Sequence, residues 1–203
     1  PDRRDAGGQP WAESELQGGH REGGKPTEVK PDDLQLVRLN EGHYLNFFDC
    51  GEESMDRWLC NQALDDQEAG LSATHVWAQP DGMVFAYITL LHALVDESSG
   101  PFWRMLKPRG YRRNDAHCVL IGKIALDQSL RGRGLGEDLF ADAFVLAIDA
   151  VQIMGGVFIV IDPMAGRPRL RTMYEGYGFR TIDGTDRMYM SVKDFQNGVP
   201  LEG

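Results

Sequence analysis

Arg131-Gly-Arg-Gly-Leu-Gly136 is the stretch that decides the fold, because it separates a strand-like run from a helix-like run. Glycine lets backbone N–H groups approach a ligand closely, and the N-terminus of a helix carries partial positive charge. Arginine side chains match phosphate oxygens in geometry and charge. The stretch therefore predicts a pyrophosphate-binding turn between a buried strand, Val119–Leu126, and an amphipathic helix. The apolar residues of that helix are Leu135, Leu139, Ala143, Leu146, Ala147 and Ala150.

Spacing excludes two common phosphate-binding motifs. A Walker loop needs Gly-Lys-Ser/Thr after four residues, and no lysine follows these glycines. The dinucleotide motif needs a third glycine, but Glu137 or Leu139 stands at the required position. A plain glycine-rich connector without a ligand remains the structural alternative.

Composition restricts the class of protein. With 203 residues, of which 42% are hydrophobic, the chain can form one domain of ordinary size. No apolar run approaches the roughly 18 residues of a membrane span, and no signal peptide is evident. The three cysteines, an odd number without metal-binding spacing, indicate buried free thiols in a reducing cytoplasm. The net charge of −10 argues against a general nucleic-acid coat. We expect no metal and no membrane association.

The chain divides into three parts. Residues 1–33 are rich in glycine, proline and charge, which predicts a disordered leader. Residues 34–196 form the predicted domain, and residues 197–203 a flexible tail. The predicted strands are 34–39, 74–79, 83–91, 119–126, 157–161, 178–182 and 188–192. The predicted helices lie near 55–64, 135–150 and 169–175. Residues 96–116 are read as a long basic connection with a short helix at Phe102–Leu106. This order predicts an α/β fold, a mixed sheet flanked by helices.

Two sets of residues carry a family resemblance. Arg131-x-x-Gly134-x-Gly136 resembles the acetyl-coenzyme A signature of GNAT N-acetyltransferases. Phe48-Asp-Cys-Gly51, Met55-Asp-x-Trp-Leu59 and Met173-Tyr-Glu-Gly-Tyr-Gly-Phe179 resemble the TacT group of toxins from toxin–antitoxin operons. Those toxins acetylate the amino group of aminoacyl-tRNA. The resemblance covers roughly residues 34–195 and implies the GNAT fold, acetyl-CoA as co-substrate and aminoacyl-tRNA as acceptor. We also consider a cognate antitoxin and a homodimer as partners.

The resemblance also implies the site residues. In these enzymes a tyrosine that precedes a Gly-Phe pair donates a proton to the leaving coenzyme A sulfur. Here that role would fall to Tyr174, four residues before Gly178. Tyr177 is the second candidate, and a purely structural aromatic anchor is the alternative for Tyr174. Backbone groups of Ile124, Ala125 and Leu126 would bind the pantetheine arm. The pyrophosphate would lie on Arg131, Gly132, Arg133, Gly134, Leu135 and Gly136.

No general base stands out, and an α-amino group with a pKa of about 7.7–8.0 does not demand one. His75, His92 and His117 are the histidines considered for that role. Asp162 stands where many GNAT enzymes place an asparagine that holds the cofactor, which makes it a weak candidate.

Basic residues without acidic neighbours in sequence predict a surface for the tRNA backbone. Solvated loop charges are the alternative reading. These residues are Arg109, Arg112, Arg113, Arg167 and Arg169.

We therefore predict a cytoplasmic acetyl-CoA-dependent N-acetyltransferase of aminoacyl-tRNA, the toxin of a toxin–antitoxin pair. Two alternatives stay open. One is an acetyltransferase of a small-molecule or protein amine, which the acidic total charge favours. The other is an acyl-CoA-binding regulatory domain without turnover.

Overall fold

The computed structural model describes residues 29–96, 115–164, 166–182 and 185–193. Seven strands form one sheet, and all neighbours are antiparallel except the fourth and fifth strands, which are parallel. The strands are β1 (Gln35–Arg38), β2 (Ala73–Ala78), β3 (Val84–Asp96), β4 (Asp115–Leu126), β5 (Phe158–Ile161), β6 (Arg180–Thr181) and β7 (Met188–Ser191). Their order across the sheet is β1-β2-β3-β4-β5-β7-β6.

Helices cover both faces of the sheet because its strands bury alternate residues on opposite sides. In β2, Trp77 belongs to one buried cluster, whereas Val76 and Ala78 belong to another. The first cluster contains the inner faces of the two later helices, and the second contains those of the two earlier ones. The helices are α1 (Glu53–Asn61), α2 (Ala63–Glu68), α3 (Leu135–Met154) and α4 (Pro168–Gly176).

The mixed sheet flanked by helices, and the order of its elements, are those predicted from the sequence. The helix predicted near 55–64 is divided into α1 and α2 at Gln62, whose backbone leaves the helical region at φ −135°. The apolar face continues across this break, since Leu59 of α1 and Ala63 of α2 are buried in the same cluster. The strand predicted at 178–182 is reduced to the two residues of β6.

The strands β3 and β4 are longer than predicted, and they pair as far as Asp96 and Asp115. Leu94 is 52% exposed and Val95 is 2% exposed, the alternation of a half-buried strand. The remainder of the predicted connection, including its short helix, lies outside the described residues.

The last residues of the predicted leader pack against the domain. Val29 is buried, and a 3-10 turn spans Pro31–Asp33, although we placed these residues in the leader. The rest of the leader and the tail at 197–203 lie outside the described residues. The domain boundaries therefore stay predictions.

A β-bulge in β4 opens the sheet where the predicted site lies. Lys123 pairs with Thr89 and Ile121 pairs with Leu90, so Gly122 is the extra residue. A Cβ atom on Gly122 would lie 2.2 Å from Cδ1 of Leu91, so a larger residue there would displace the Leu91 side chain. Bulges bend the strand that carries them. Beyond the bulge β4 keeps its pairing with β3, while its pairing with β5 ends at Ile121.

Candidate acetyl-transfer site

The cleft, as we call the opening beyond Ile121, lies at the carboxyl end of β4. In an inner strand about half of the backbone N–H and C=O groups point toward each neighbour. From Lys123 to Leu126, β4 pairs with β3 on one side and with no described strand on the other. The cleft encloses a cavity of about 180 Å³. Its wall is formed by Cys50, Glu52, Met55, Ile124, Ala125, Leu126, Arg131, Met164, Arg167 and Leu170.

The turn beside the cleft has a backbone conformation that favours glycine. Gly132 and Gly134 have φ values of +74° and +81°, which side-chain-bearing residues rarely adopt. A Cβ atom built on Gly132, Gly134 or Gly136 meets no other heavy atom within 4 Å. Leu135 is buried as the first residue of α3, whose first N–H groups have no partner within the helix. The turn therefore presents open space and backbone donors together.

The two arginines of the turn are held by backbone carbonyls. Arg131 lines the cleft and donates from Nη2 to the carbonyl of Cys50. Arg133 donates from Nη1 to the carbonyl of Val29 at 2.8 Å. Each guanidinium has five N–H donors, so further donors remain for an anion.

Tyr174 is buried on α4, next to the cleft. Its side chain is 6% exposed, and its ring centroid lies 4.7 Å from that of Phe140. Burial raises the pKa of its phenol to about 12, so the hydroxyl stays protonated at neutral pH. Leu170, one helical turn earlier, lines the cavity, whereas Tyr174 does not. The hydroxyl has no hydrogen-bond partner among the residues that the structure describes.

Tyr177, the second candidate, is engaged in packing. Its hydroxyl donates to the carbonyl of Glu137 at 3.3 Å. Its ring lies 4.7 Å from that of Phe140 and 6.4 Å from that of Phe144. These contacts join α4 to α3, as an aromatic anchor would.

The histidines considered as bases lie away from the cleft. His117 and His92 share a hydrogen bond of 2.9 Å near the start of β4. His117 and Ala125 are eight residues apart in an extended strand, which corresponds to roughly 26 Å. His75 lines another cavity, of about 470 Å³, that includes Leu90 and α3 residues such as Ile153. Burial lowers the pKa of His75, which favours its neutral form.

Asp162 is committed to an ion pair. Both of its carboxylate oxygens accept from Arg187, each at 2.6 Å. The two-point geometry satisfies the carboxylate, which explains an acid at this position without a cofactor.

The predicted basic surface is described only in part. Arg167 pairs with Glu52, an acid 115 residues away in sequence, so it is not free of acidic partners. Arg169 is exposed and has no ion-pair partner among the described residues. Arg109, Arg112 and Arg113 lie outside the described residues.

Five residues that line the cleft were given no site role from the sequence: Cys50, Glu52, Met55, Met164 and Leu170. Cys50 lies in a motif that carries the family resemblance and Glu52 follows that motif, yet we gave neither residue a role in the site. Burial, and next a hydrogen bond with Asp56, raise the pKa of the Cys50 thiol to about 12. The thiol therefore stays protonated and is a poor nucleophile toward a thioester. All three cysteines are free, as predicted, but only Cys50 and Cys118 are buried, and Cys60 is partly exposed.

Asp127 was also missed, although it holds the walls of the cleft together. Its side chain is 1% exposed and accepts from the backbone N–H groups of Asp49 and Ser129, both at 2.9 Å. It also accepts from the hydroxyl of Ser129 at 2.5 Å. An aspartate followed two residues later by serine, directly after a strand, is the turn signal in the sequence.

Neither a metal site nor a membrane span is found in the part of the chain that the structure describes. No group of His, Cys, Asp and Glu there is arranged to hold a metal ion. None of the described helices combines the length and hydrophobicity needed to cross a bilayer.

No protein-family model matches the chain. It is 26% identical over 153 residues to the tRNA-acetylating toxin of Mycobacterium tuberculosis, covering 75% of this chain and 87% of that protein. AtaT complexed with acetyl-methionyl-tRNAfMet superimposes with a TM-score of 0.70 at 21% identity, over 83% of this chain and all of AtaT. AtaTR bound with AcCoA gives a TM-score of 0.68 at 22% identity, over 83% of this chain and 99% of that one. The chain therefore has the GNAT fold of these toxins, and the predicted resemblance is confirmed.

Proposed function

We propose that this protein transfers the acetyl group of acetyl-CoA to the α-amino group of aminoacyl-tRNA and acts as the toxin of a toxin–antitoxin pair. The observation that carries the proposal is the cleft beyond Ile121, with the open glycine turn at one end and buried Tyr174 nearby. The names of its relatives support the same reaction, since one is a tRNA-acetylating toxin and another was solved with acetyl-methionyl-tRNA. A cytoplasmic location follows from an acceptor that is found there.

The cleft fits the two polar regions of acetyl-CoA. The unpaired groups of Ile124, Ala125 and Leu126 would bond the pantetheine amides as a neighbouring strand would. The backbone N–H groups from Gly132 to Gly136 would receive the pyrophosphate, for which the glycines leave space. The side chains of Arg131 and Arg133 would add positive charge.

Tyr174 would assist the departure of the thiol. Attack by the amine forms a C–N bond and breaks the C–S bond, so the sulfur leaves as a thiolate. The Tyr174 phenol, kept protonated by its raised pKa, donates a proton to that sulfur and regains one from the attacking nitrogen through water. The α-amino group of the acceptor starts as an ammonium, which loses one proton to solvent before the nitrogen attacks. Since an α-amino group has a pKa of about 7.7–8.0, this step needs no dedicated base.

The acetylation of a small-molecule or protein amine is the second candidate. The net charge of −10 and the pairing of Arg167 with Glu52 favour it, because a tRNA substrate requires accessible positive charge. Arg169, together with Arg109, Arg112 and Arg113, supports the tRNA reading.

Acetyl transfer from radiolabelled acetyl-CoA tests the proposal. The acceptors are charged tRNA, the same tRNA without its amino acid, and a panel of free amino acids and polyamines. We expect label on charged tRNA alone, at the amino group, and release by hydrolysis of the aminoacyl ester. Faster transfer to a small amine would support the second candidate. Binding of acetyl-CoA without transfer to any acceptor would support a regulatory domain.

A further inference from the structure

An ion pair joins the two walls of the cleft. Arg167, which precedes α4, donates from Nη2 to Oε1 of Glu52, which precedes α1. Both residues line the cavity. Their side chains are 45% and 38% exposed, so the pair is at the mouth of the cavity rather than in the core.

The Glu52 carboxylate is directed away from its own helix. Its backbone carbonyl accepts from the N–H groups of Met55 at 2.8 Å and Asp56 at 3.1 Å, which fixes the residue at the start of α1. The side chain makes no capping hydrogen bond to that helix. The carboxylate therefore pairs with Arg167 and faces the cavity.

The cavity wall offers a bound cation a single negatively charged partner among the described residues. Glu52 is the only carboxylate in the cavity wall among the described residues. Arg131 is held by the carbonyl of Cys50, and the Cys50 thiol stays protonated. An ammonium group that enters the cavity thus finds its negative partner at Glu52.

We infer that Glu52 is the positioning residue for the α-ammonium group of the acceptor, which displaces Arg167 from the carboxylate. This inference rests on the proposed acetyl transfer. The displacement is not costly, because a half-exposed ion pair contributes little net stability. Arg167, once released, is free to meet a phosphate of the same acceptor. Glu52 holds the ammonium, and the proton leaves to solvent as in the proposed reaction.

Glu52→Gln tests the inference, because the amide keeps the shape and loses the charge. We expect the KM for charged tRNA to rise about tenfold, as for the loss of a charged hydrogen bond, with the plateau value of kcat at high pH little changed. The Kd for acetyl-CoA should stay the same. A carboxylate raises the pKa of a bound ammonium, so its removal should shift the rising limb of the kcat–pH profile to lower pH. Glu52→Asp should recover part of the affinity.

Glu53→Gln is the matched control. Glu53 is the next residue, also at the start of α1, but it pairs with Arg57 of the same helix and is 82% exposed. Its replacement should leave KM, kcat and the pH profile unchanged.

The outcomes separate this inference from the proposed function. If the unmodified protein acetylates charged tRNA and Glu52→Gln has the same KM and pH profile, only the role of Glu52 is refuted. A KM that rises equally in Glu53→Gln would also refute it, since the effect would then belong to the helix start. If the unmodified protein acetylates no amine, the proposed function and this inference are both refuted.

Discussion

Tyr174 combines burial, a protonated hydroxyl and no hydrogen-bond partner among the described residues. A phenol hydroxyl without a partner in the fold contributes little to stability, so it remains available to a bound ligand. The contrast with Tyr177, whose hydroxyl bonds the carbonyl of Glu137, distinguishes the two tyrosines.

We expect Tyr174→Phe to reduce the single-turnover rate of acetyl transfer by about 10²–10⁴-fold, as for loss of a general acid. Acetyl-CoA affinity and thermal stability should change little, because the ring and its packing on Phe140 remain. Rapid-quench kinetics and calorimetric titration measure the two effects. Tyr177→Phe is the comparison: a larger rate loss there would transfer the catalytic assignment to Tyr177.

Gly134→Val should abolish tight acetyl-CoA binding. The new side chain occupies the open space of the turn and forces a residue with φ of +81° into a strained conformation. Such strain costs roughly 1–2 kcal/mol. Gly70→Val is the matched control, since Gly70 has φ of +72° and equally open surroundings away from the turn. If titration shows that both variants bind acetyl-CoA equally, the turn is not the phosphate site.

Among the elements, the junction of β4 with α3 was predictable because its signal is local. The glycines, the buried strand and the helical periodicity lie within 40 residues, and each follows from backbone preference. The end of the pairing between β4 and β5 at Ile121 was not predictable, because it requires the register between these two strands, which the sequence alone does not give. The ion pair of Glu52 with Arg167 joins residues 115 apart and has no sequence signal.

Asp127 holds the loop of Asp49 to the end of β4, so its loss should affect stability more than any exposed charge. We expect Asp127→Ala to lower the free energy of unfolding by roughly 3 kcal/mol, because the backbone N–H groups of Asp49 and Ser129 lose a charged, buried acceptor. Urea unfolding measures this loss. Asp127→Asn keeps one acceptor oxygen and should lose less. Equal stability of all three proteins would show that the loop is held by other contacts.

At the scale of the whole molecule, charge distribution matters more than its sum. The chain has 31 acidic and 21 basic residues, yet the proposed substrate is a polyanion. Long-range repulsion is screened within a Debye length of about 8 Å at physiological ionic strength, so a local basic surface can bind it.

Reversal of Arg112 and Arg113 together, or of Arg169 alone, to glutamate should weaken acetylation of charged tRNA while acetyl-CoA binding stays unchanged. Each lost phosphate contact should reduce the slope of log affinity against log salt by about 0.7–0.9. Kinetics across a salt series measure this slope. Arg57→Glu, an exposed arginine on α1, is the control. An unchanged slope in the Arg112/Arg113 and Arg169 proteins would remove this surface from the tRNA site.

The incomplete pairing of β4 can make the stability of the folded protein depend on the concentration of a ligand. Beyond Ile121, the backbone N–H and C=O groups on one side of β4 have no neighbouring strand to bond among the described residues. An extended ligand with amide groups can take the place of that strand. A ligand that binds only the folded state stabilises it by about 2.7 kcal/mol at 100 times its Kd. If acetyl-CoA is that ligand, the resistance of this protein to unfolding, and hence its lifetime against proteases, rises and falls with the acetyl-CoA supply of the cell.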